Sequence, residues 1–275
     1  MDRQKFSVAM CVYGGDDPRW FAQAVDSILN QTAKPDEVVL VVDGPVPETL
    51  DAIIRGYGQD PVFRVVRLAE NQGHGNARRA SLANCTNELV ALMDADDLSV
   101  PDRFEKQLAM FAARPDADIV GGMIDEFVES PEQVVGARHV PCTDEEIKVY
   151  LKDRCPMNQV TVMFKKSSVD AVGGYVDWYN DEDYYLWVRM YLAGMKFANT
   201  PDILVHVRVG ADMYRRRGGW RYFKSEAKLQ KYMWKNGVIG FATFAVNVAK
   251  RLIVQVLLPN RIRGWVFKAF ARSKA

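Results

Sequence analysis

LVALMDADDLSV, residues 89–100, carries an apolar run straight into three acids, Asp94, Asp96 and Asp97. The run has the length and composition of a buried strand. Carboxylates this close repel one another unless a positive group or water sits among them. The design recurs upstream: EVVLVVDG (37–44) is continuous, β-branched and closes on Asp43, and FSVAMCVY (6–13) closes on Tyr13. Uninterrupted apolar strands fit a parallel sheet covered on both faces.

Strands at 6–13, 37–44, 62–68, 88–94 and 117–122 alternate with helices at 18–30, 48–57, 75–84 and 99–114. Asp16 or Asp17 caps the first helix, with Pro18 at its first position; Ser99 and Asp102 form a capping box for the last. The alternation predicts an open, doubly wound α/β half over roughly the first 120 residues. Such sheets bind ligands beyond the carboxyl ends of their strands. Tyr13, Asp43 and Asp94 therefore converge on one edge.

Residues 123–236 are less regular. They contain a hairpin near 125–140, a helix near 143–152, the strand VTVMF (160–164) and the turn VGGY (172–175). The helix EDYYLWVRMYLAG (182–194) and the strand ILVHVRV (203–209) follow. No repeat or low-complexity linker separates the halves, which are expected to pack as one unit.

The chain has 275 residues, 48% of them apolar, enough for a sizeable core. Its net charge of +1 hides an asymmetry. Residues 227–275 hold ten Lys and Arg and no acid, leaving 26 bases against 35 acids before them. In 241–258, Phe241, Phe244, Ala245, Val248 and Leu252 recur at helical spacing opposite Thr243, Asn247, Lys250 and Arg251. After Pro259, Ile262, Trp265, Val266, Ala269 and Phe270 face Arg261, Lys268 and Arg272. The apolar runs are too short to span a bilayer. They read as two basic amphipathic helices lying in a membrane interface; packing on the core is the alternative. Of the two anionic surfaces a basic tail admits, lipid is the expected partner and nucleic acid is not. The chain thus divides at 1–122, 123–236 and 237–275.

Four scattered Cys and three scattered His make no zinc-ligand spacing, so free thiols in a reducing compartment are expected. MDRQKFSVAM leads directly into a strand, without a secretory leader.

Several chemistries place Asp-x-Asp at a strand end. A calcium loop needs a Gly at its sharp turn and a regular alternation of ligands, which DADDLSVPDRFE lacks. An aspartyl-phosphatase nucleophile belongs on the first strand with Ser or Thr two residues on, where this chain has Leu98. Helix capping by Asp96 or Asp97 stays open. The remaining reading is a nucleotide-sugar site. One carboxylate accepts from a ribose hydroxyl; another holds a divalent cation that neutralises the diphosphate leaving group.

These motifs, with SVAMCVYGG, AVDSILNQTAKPDEVVLVVDGP, NQGHGNARRASLANC, LVALMDADDLSVPDRFEKQL, VGGY and DEDYYLWVRMYLAGMKF in order, resemble the inverting glycosyltransferases of family two. VRVGADMYRRRGGWRY and the basic tail look most like the enzymes that build capsular, exopolysaccharide or O-antigen repeat units. The resemblance implies the GT-A fold. That is a Rossmann-like nucleotide-binding half plus an acceptor half on a mixed central sheet, followed here by the C-terminal amphipathic helices. It implies a UDP-sugar donor and a divalent metal ion, manganese or magnesium. Tyr13 would lie against uracil, Asp43 would accept from its imide N–H, and Arg78 would approach the base or phosphates. Asp94 would hold the ribose, Asp96 would ligate the metal, Asp97 would support the turn, and Asp183 would be the general base. The family often has Asn after the Arg, where this chain has Arg79. A lipid-linked saccharide acceptor on a polyprenyl diphosphate would suit a peripheral enzyme at the cytoplasmic face of the bacterial inner membrane, and Arg215–Arg217 could meet that diphosphate.

Each residue also has a plainer reading: Asp43-Gly44 as a turn, Tyr13 and Trp187 as core, Arg78 as a solvated charge, Glu182 and Asp183 as helix caps, and His74 as loop. A sugar-nucleotide nucleotidyltransferase would need a basic Gly-rich first loop, whereas VYGGDDPRW is acidic. A catalytically inactive assembly partner would not need Asp94, Asp96 and Asp183 intact.

Overall fold

β1 (Phe6–Tyr13), β2 (Glu37–Asp43), β3 (Phe63–Arg67) and β4 (Leu89–Met93) lie parallel in the order β3-β2-β1-β4. The computed structural model describes residues 3–210 and 218–259. Both faces of the strands are covered, as their unbroken apolar runs require. Phe6, Val8, Met10 and Val12 of β1 pack with α1 (Pro18–Leu29), α2 (Glu48–Tyr57) and α4 (Arg103–Ala113) through Phe21, Ile28, Leu50, Ile54 and Phe104. Ala9, Val39 and Val41 face the other layer, with α3 (His74–Asn84) and α7 (Glu182–Leu192). Each large side chain buried this way contributes roughly 1.5–3 kcal/mol.

Past β4 the sheet becomes mixed. β8 (Met163–Lys165) runs antiparallel to β4, and β6 (Ile119–Phe127) runs antiparallel to β8. β9 (Phe197–Arg208) is parallel to β6, while β7 (Val134–Arg138) completes the expected hairpin with β6. β6 continues through residues 122 and 123, so one strand belongs to both halves and they share a single sheet.

The capping box does not form. Leu98–Ser99 is instead β5, a short strand on β9, and α4 starts four residues later than Ser99. Ser99 Oγ accepts a 2.9 Å hydrogen bond from buried Arg103, and Asp102 pairs with Lys106. The strand expected at 160–164 also shortens. Gln159–Thr161 forms a 3-10 turn, with Thr161 Oγ donating to the Asn158 carbonyl at 2.7 Å. α5 (Asp144–Tyr150) does carry a capping box, Thr143 with Glu146. α6 (Lys166–Ala171) leads to the Gly173-Gly174 turn, where both residues have positive φ.

After β9 come α8 (Trp220–Lys235) and α9 (Phe241–Leu252). α9 ends in a π-helical turn, Ile253–Leu257, rather than continuing as α-helix to 258. Asn247, expected on its solvent side, is buried against α8. The second tail helix expected after Pro259, and Arg215–Arg217, lie outside the described residues.

Candidate active site

The acid turn leaves β4 at the carboxyl edge and is pinned from beneath. Arg103, fully buried, donates from Nη2 to the Leu92 carbonyl at 2.7 Å. Burial works against its charge, and the nearby Asp94 and Asp97 support it. From above, Arg208 holds the turn to the end of β9. Its backbone N–H donates to Asp97 Oδ1 at 2.8 Å and its Nε to the Asp96 carbonyl at 3.1 Å. The Arg208 guanidinium lies over the Trp20 and Phe127 rings. Asp97 therefore supports the turn, as expected. Burial, reinforced by the charges of Asp96 and Asp94, pushes its carboxyl well above the ordinary carboxylate range.

Asp94 is a partner of Arg78: Nη2 donates to Asp94 Oδ1 at 2.6 Å. Burial would raise the Asp94 pKa, but the charge and hydrogen bond of the Arg78 guanidinium bring it below the usual value. Arg78 is 3% exposed, which excludes a solvated surface charge. Its Nε donates to His74 Nε2 at 3.0 Å. An arginine only donates, so Nε2 is the accepting nitrogen and His74 carries its proton on Nδ1. That nitrogen faces Glu182 Oε1 at 3.1 Å. A continuous path, Glu182–His74–Arg78–Asp94, thus joins the start of α7 to the acid turn.

Tyr13 and Asp43 stand side by side where β1 and β2 end. Tyr13 is 48% exposed, and its ring lies on the backbone of Gly15, where a Cβ would meet its hydroxyl at 2.5 Å. Asp43 is buried and organises the next loop. Its two oxygens accept from the backbone N–H of Gln72 at 2.7 Å and of Gly73 at 3.1 Å. Each oxygen keeps a second lone pair for another donor. Gly44 follows at φ +83°, with its α-carbon so near the Asn71 backbone that a Cβ would sit 2.5 Å from Asn71 N. This closure sets where α3 begins and so where Arg78 points.

Asp183 lies in the first turn of α7 beside Cys155, whose Sγ is 3.8 Å from Oδ2. Burial, and then the charge of Glu182, raise its pKa to about 6. Glu182 moves the other way: burial opposes its charge, but the hydrogen bond from His74 holds it below its ordinary value. Adjacent carboxyls pushed apart in this way mark one permanent anion and one group able to exchange a proton near neutrality.

Two site residues escaped the sequence reading. Asp16 is not the helix cap; Asp17 is, accepting from Arg19 N at 2.8 Å. Asp16 turns back instead, accepts from Tyr13 N at 2.9 Å, and joins the field of the acid turn. Burial and the charges of Asp96 and Asp94 outweigh that hydrogen bond and raise its pKa to about 6. His74 is not plain loop. The available signal was its position four residues before Arg78, which places both on one helix face.

The acid turn suits a hard divalent cation. Arg78 compensates Asp94, while Asp16 and Asp97 resist ionisation in the field of Asp94 and Asp96. Among the described residues no group of three His, Cys, Asp or Glu could hold a metal unaided. Magnesium-type ions take one or two carboxylates and complete their shell with phosphate oxygens and water, which this donor set permits.

The profile described as Glycosyl transferase family 2 matches residues 7–169, and that of Glycosyl transferase family group 2 matches 89–272. The amylovoran biosynthesis glycosyltransferase AmsE of Erwinia amylovora is 37% identical over 96% of this chain and 98% of its own. The UDP-Gal:alpha-D-GlcNAc-diphosphoundecaprenol beta-1,3-galactosyltransferase of Escherichia coli is 34% identical over 98% of each chain. Staphylococcus aureus TarS 1-349 in complex with UDP-GlcNAc aligns at TM-score 0.67 and 16% identity, over 91% of this chain and 73% of that one. The mannosyltransferase PcManGT of Pyrobaculum calidifontis, in complex with GDP-Man and Mn2+, aligns at 0.66 and 18%, over 99% and 77%. At these identities the structural likeness is one of fold.

Proposed function

The chain belongs to glycosyl transferase family 2, and from that premise we propose a metal-assisted, inverting hexosyltransferase of bacterial surface-polysaccharide synthesis. Its fold is GT-A. The donor is a UDP-sugar carrying a hexose or N-acetylhexosamine, and the acceptor is a sugar on a polyprenyl diphosphate. The E. coli relative, named for that donor and acceptor chemistry, supports both assignments. The single observation that carries the reading is the opposed pair Glu182 and Asp183, joined through His74 and Arg78 to the acid turn.

Tyr13 presents its exposed ring to uracil, and the spare lone pairs of Asp43 accept from the imide N–H. Asp94, kept ionised by Arg78, accepts from the ribose hydroxyls. Asp96 holds the divalent ion, with Asp16 adding to the negative field. When bound, magnesium or manganese supplies Lewis-acid neutralisation of the diphosphate. Asp183 takes the proton from the acceptor hydroxyl as that oxygen bonds to the anomeric carbon. The bond to UDP breaks with its electron pair leaving on the diphosphate, and displacement from the opposite face inverts the centre. Glu182, held as an anion by His74, keeps the Asp183 carboxyl basic enough for this task.

The setting is the cytoplasmic face of the bacterial inner membrane, with the protein peripheral. The acid-free basic tail supports this, since anionic lipid attracts each such residue by about 1 kcal/mol. No described helix is long and apolar enough to cross a membrane.

The test is transfer from a set of sugar nucleotides to a synthetic lipid-diphosphate sugar, with product anomericity read by NMR. Asp183→Asn should bind UDP as the parent does and lose transfer by a factor on the order of 10²–10⁴. Transfer at the parent rate would remove Asp183 as the base.

A further inference from the structure

α9 is built inside out. Surface helices of water-soluble proteins turn apolar residues to the core and polar ones to solvent. Here Asn247, 2% exposed, faces inward and donates to the Lys152 carbonyl at 3.0 Å and to Gln230 Oε1 at 2.9 Å. Arg251 faces inward to Glu226 and donates to the Asp153 carbonyl at 2.9 Å. The π-helical turn adds a residue and brings Gln255 into the same buried row. Asn247 and Arg251 of the polar face are therefore spent on α8 and its neighbours, while Thr243 and Lys250 stay exposed. Apolar residues are left outside: Phe241 is 62% exposed, Val246 52%, Ile253 50% and Leu257 65%, with Ala242 and Ala249 exposed between them. Positions 242, 246, 249 and 253 follow at three- and four-residue steps, so they form one stripe. Trp234, itself 38% exposed, stacks on Phe244 at 5.2 Å and places an aromatic edge beside it.

We propose that this outward stripe of α9 is the docking surface of the protein for an anionic lipid bilayer, entering the headgroup boundary with α9 parallel to the membrane plane. The proposal rests on the peripheral-membrane setting inferred above and assigns it to particular side chains. Charge selects lipid over a second copy of the chain. Lys235 follows Trp234, and Lys250, which lies 3.6 Å from Asp153 Oδ1, follows Ala249; both are exposed, within a segment, 227–275, of ten bases and no acid. Pairing two such faces would bring like charges together, whereas an anionic headgroup layer meets both the stripe and its flanking cations. Continuity with the site points the same way. Arg221 of α8 lies 3.9 Å from the Tyr179 ring centroid and Lys228 lies 4.0 Å from that of Trp178. Those aromatics are in the loop that leads into Glu182 and Asp183. A bilayer against α8 and α9 would present a lipid-borne sugar next to the proposed base.

The experiment is flotation of the full chain with phosphatidylcholine vesicles, with and without phosphatidylglycerol, compared with a Val246→Asp/Ile253→Asp/Leu257→Asp variant. All three side chains are exposed and distant in sequence from the site, so circular dichroism and slow UDP release from the donor should match the parent. The expected result is flotation of the parent that rises with phosphatidylglycerol, and a bound-to-free ratio at least about tenfold lower for the variant. A variant that floats like the parent overturns the proposal. So does a parent that fails to float. So does a parent that elutes as a dimer while the variant elutes as a monomer. Failure of UDP release with every sugar nucleotide would instead remove the glycosyl-transfer reading and leave the flotation result standing.

Discussion

Asp183 and Arg78 show how single residues set the chemistry. With its carboxyl raised to about 6 by burial and then by Glu182, Asp183 is protonated below that value and cannot accept a proton. Transfer should therefore fall about tenfold per pH unit below about 6. A pH–rate profile of kcat/KM with its acidic limb near 4 would contradict this. Stability runs the other way. A carboxyl raised from 3.8 to about 6 favours the folded state at low pH and loses that contribution as pH rises through about 6. At pH 7 Asp183→Asn should accordingly unfold no earlier than the parent. Arg78 has the opposite sign. Its guanidinium holds Asp94 below its ordinary value, a contribution present above about pH 4 and lost in acid. Arg78→Gln should cost about 1–3 kcal/mol in urea unfolding at pH 7 and less toward pH 3. An equal loss at both pH values would mean lost packing, not charge. Asp43, Asp94 and Asp96 were legible as candidates from their places at strand ends, whereas Asp183 came only from the family resemblance, because an acid at a helix start reads equally well as a cap. The partnership of Arg78 with His74 was not legible, because hydrogen-bond direction depends on how α3 sits against α7.

At the scale of elements, strand runs and helix stripes were read closely, and their ends less so. Ser99 and Asp102 match a capping box by spacing. Buried Arg103 claims Ser99 Oγ, and β9 offers Leu98 and Ser99 backbone partners, so a short strand forms. Local pattern loses here to a buried cation that needs acceptors. The contact between the loop after β2 and the loop before α3 carries a further test. Gly44→Ala would place a Cβ 2.5 Å from Asn71 N at a φ of +83°. The expected cost is about 1–3 kcal/mol, a fall of roughly 3–8 °C in Tm, with weaker UDP binding because the Asp43 cradle of Gln72 and Gly73 shifts. Unchanged Tm and UDP affinity would show the loop is not closed this way.

Across the whole molecule, the acid turn is a concentration of like charge that the fold holds together through Arg78, Arg103 and Arg208. UDP with manganese should relieve that repulsion and bind only the folded chain. At a hundredfold excess over Kd the stabilisation is about 2.7 kcal/mol, several degrees in Tm, and Asp96→Asn should lose the manganese-dependent part. No shift with either ligand would argue against a nucleotide–metal site.

The sequence by itself determined the α/β alternation, the parallel first sheet, the edge where the acids gather and the helical, amphipathic character of α9. Each follows from local periodicity and from the rule that apolar runs must be covered. Only the tertiary structure decided that β6 serves both halves, that Asp16 belongs to the acid turn while Asp17 caps, that His74 bridges Arg78 and Glu182, and that α9 turns Asn247 and Arg251 inward. These outcomes depend on which buried polar groups find partners across distant segments, and spacing along the chain does not encode such pairings.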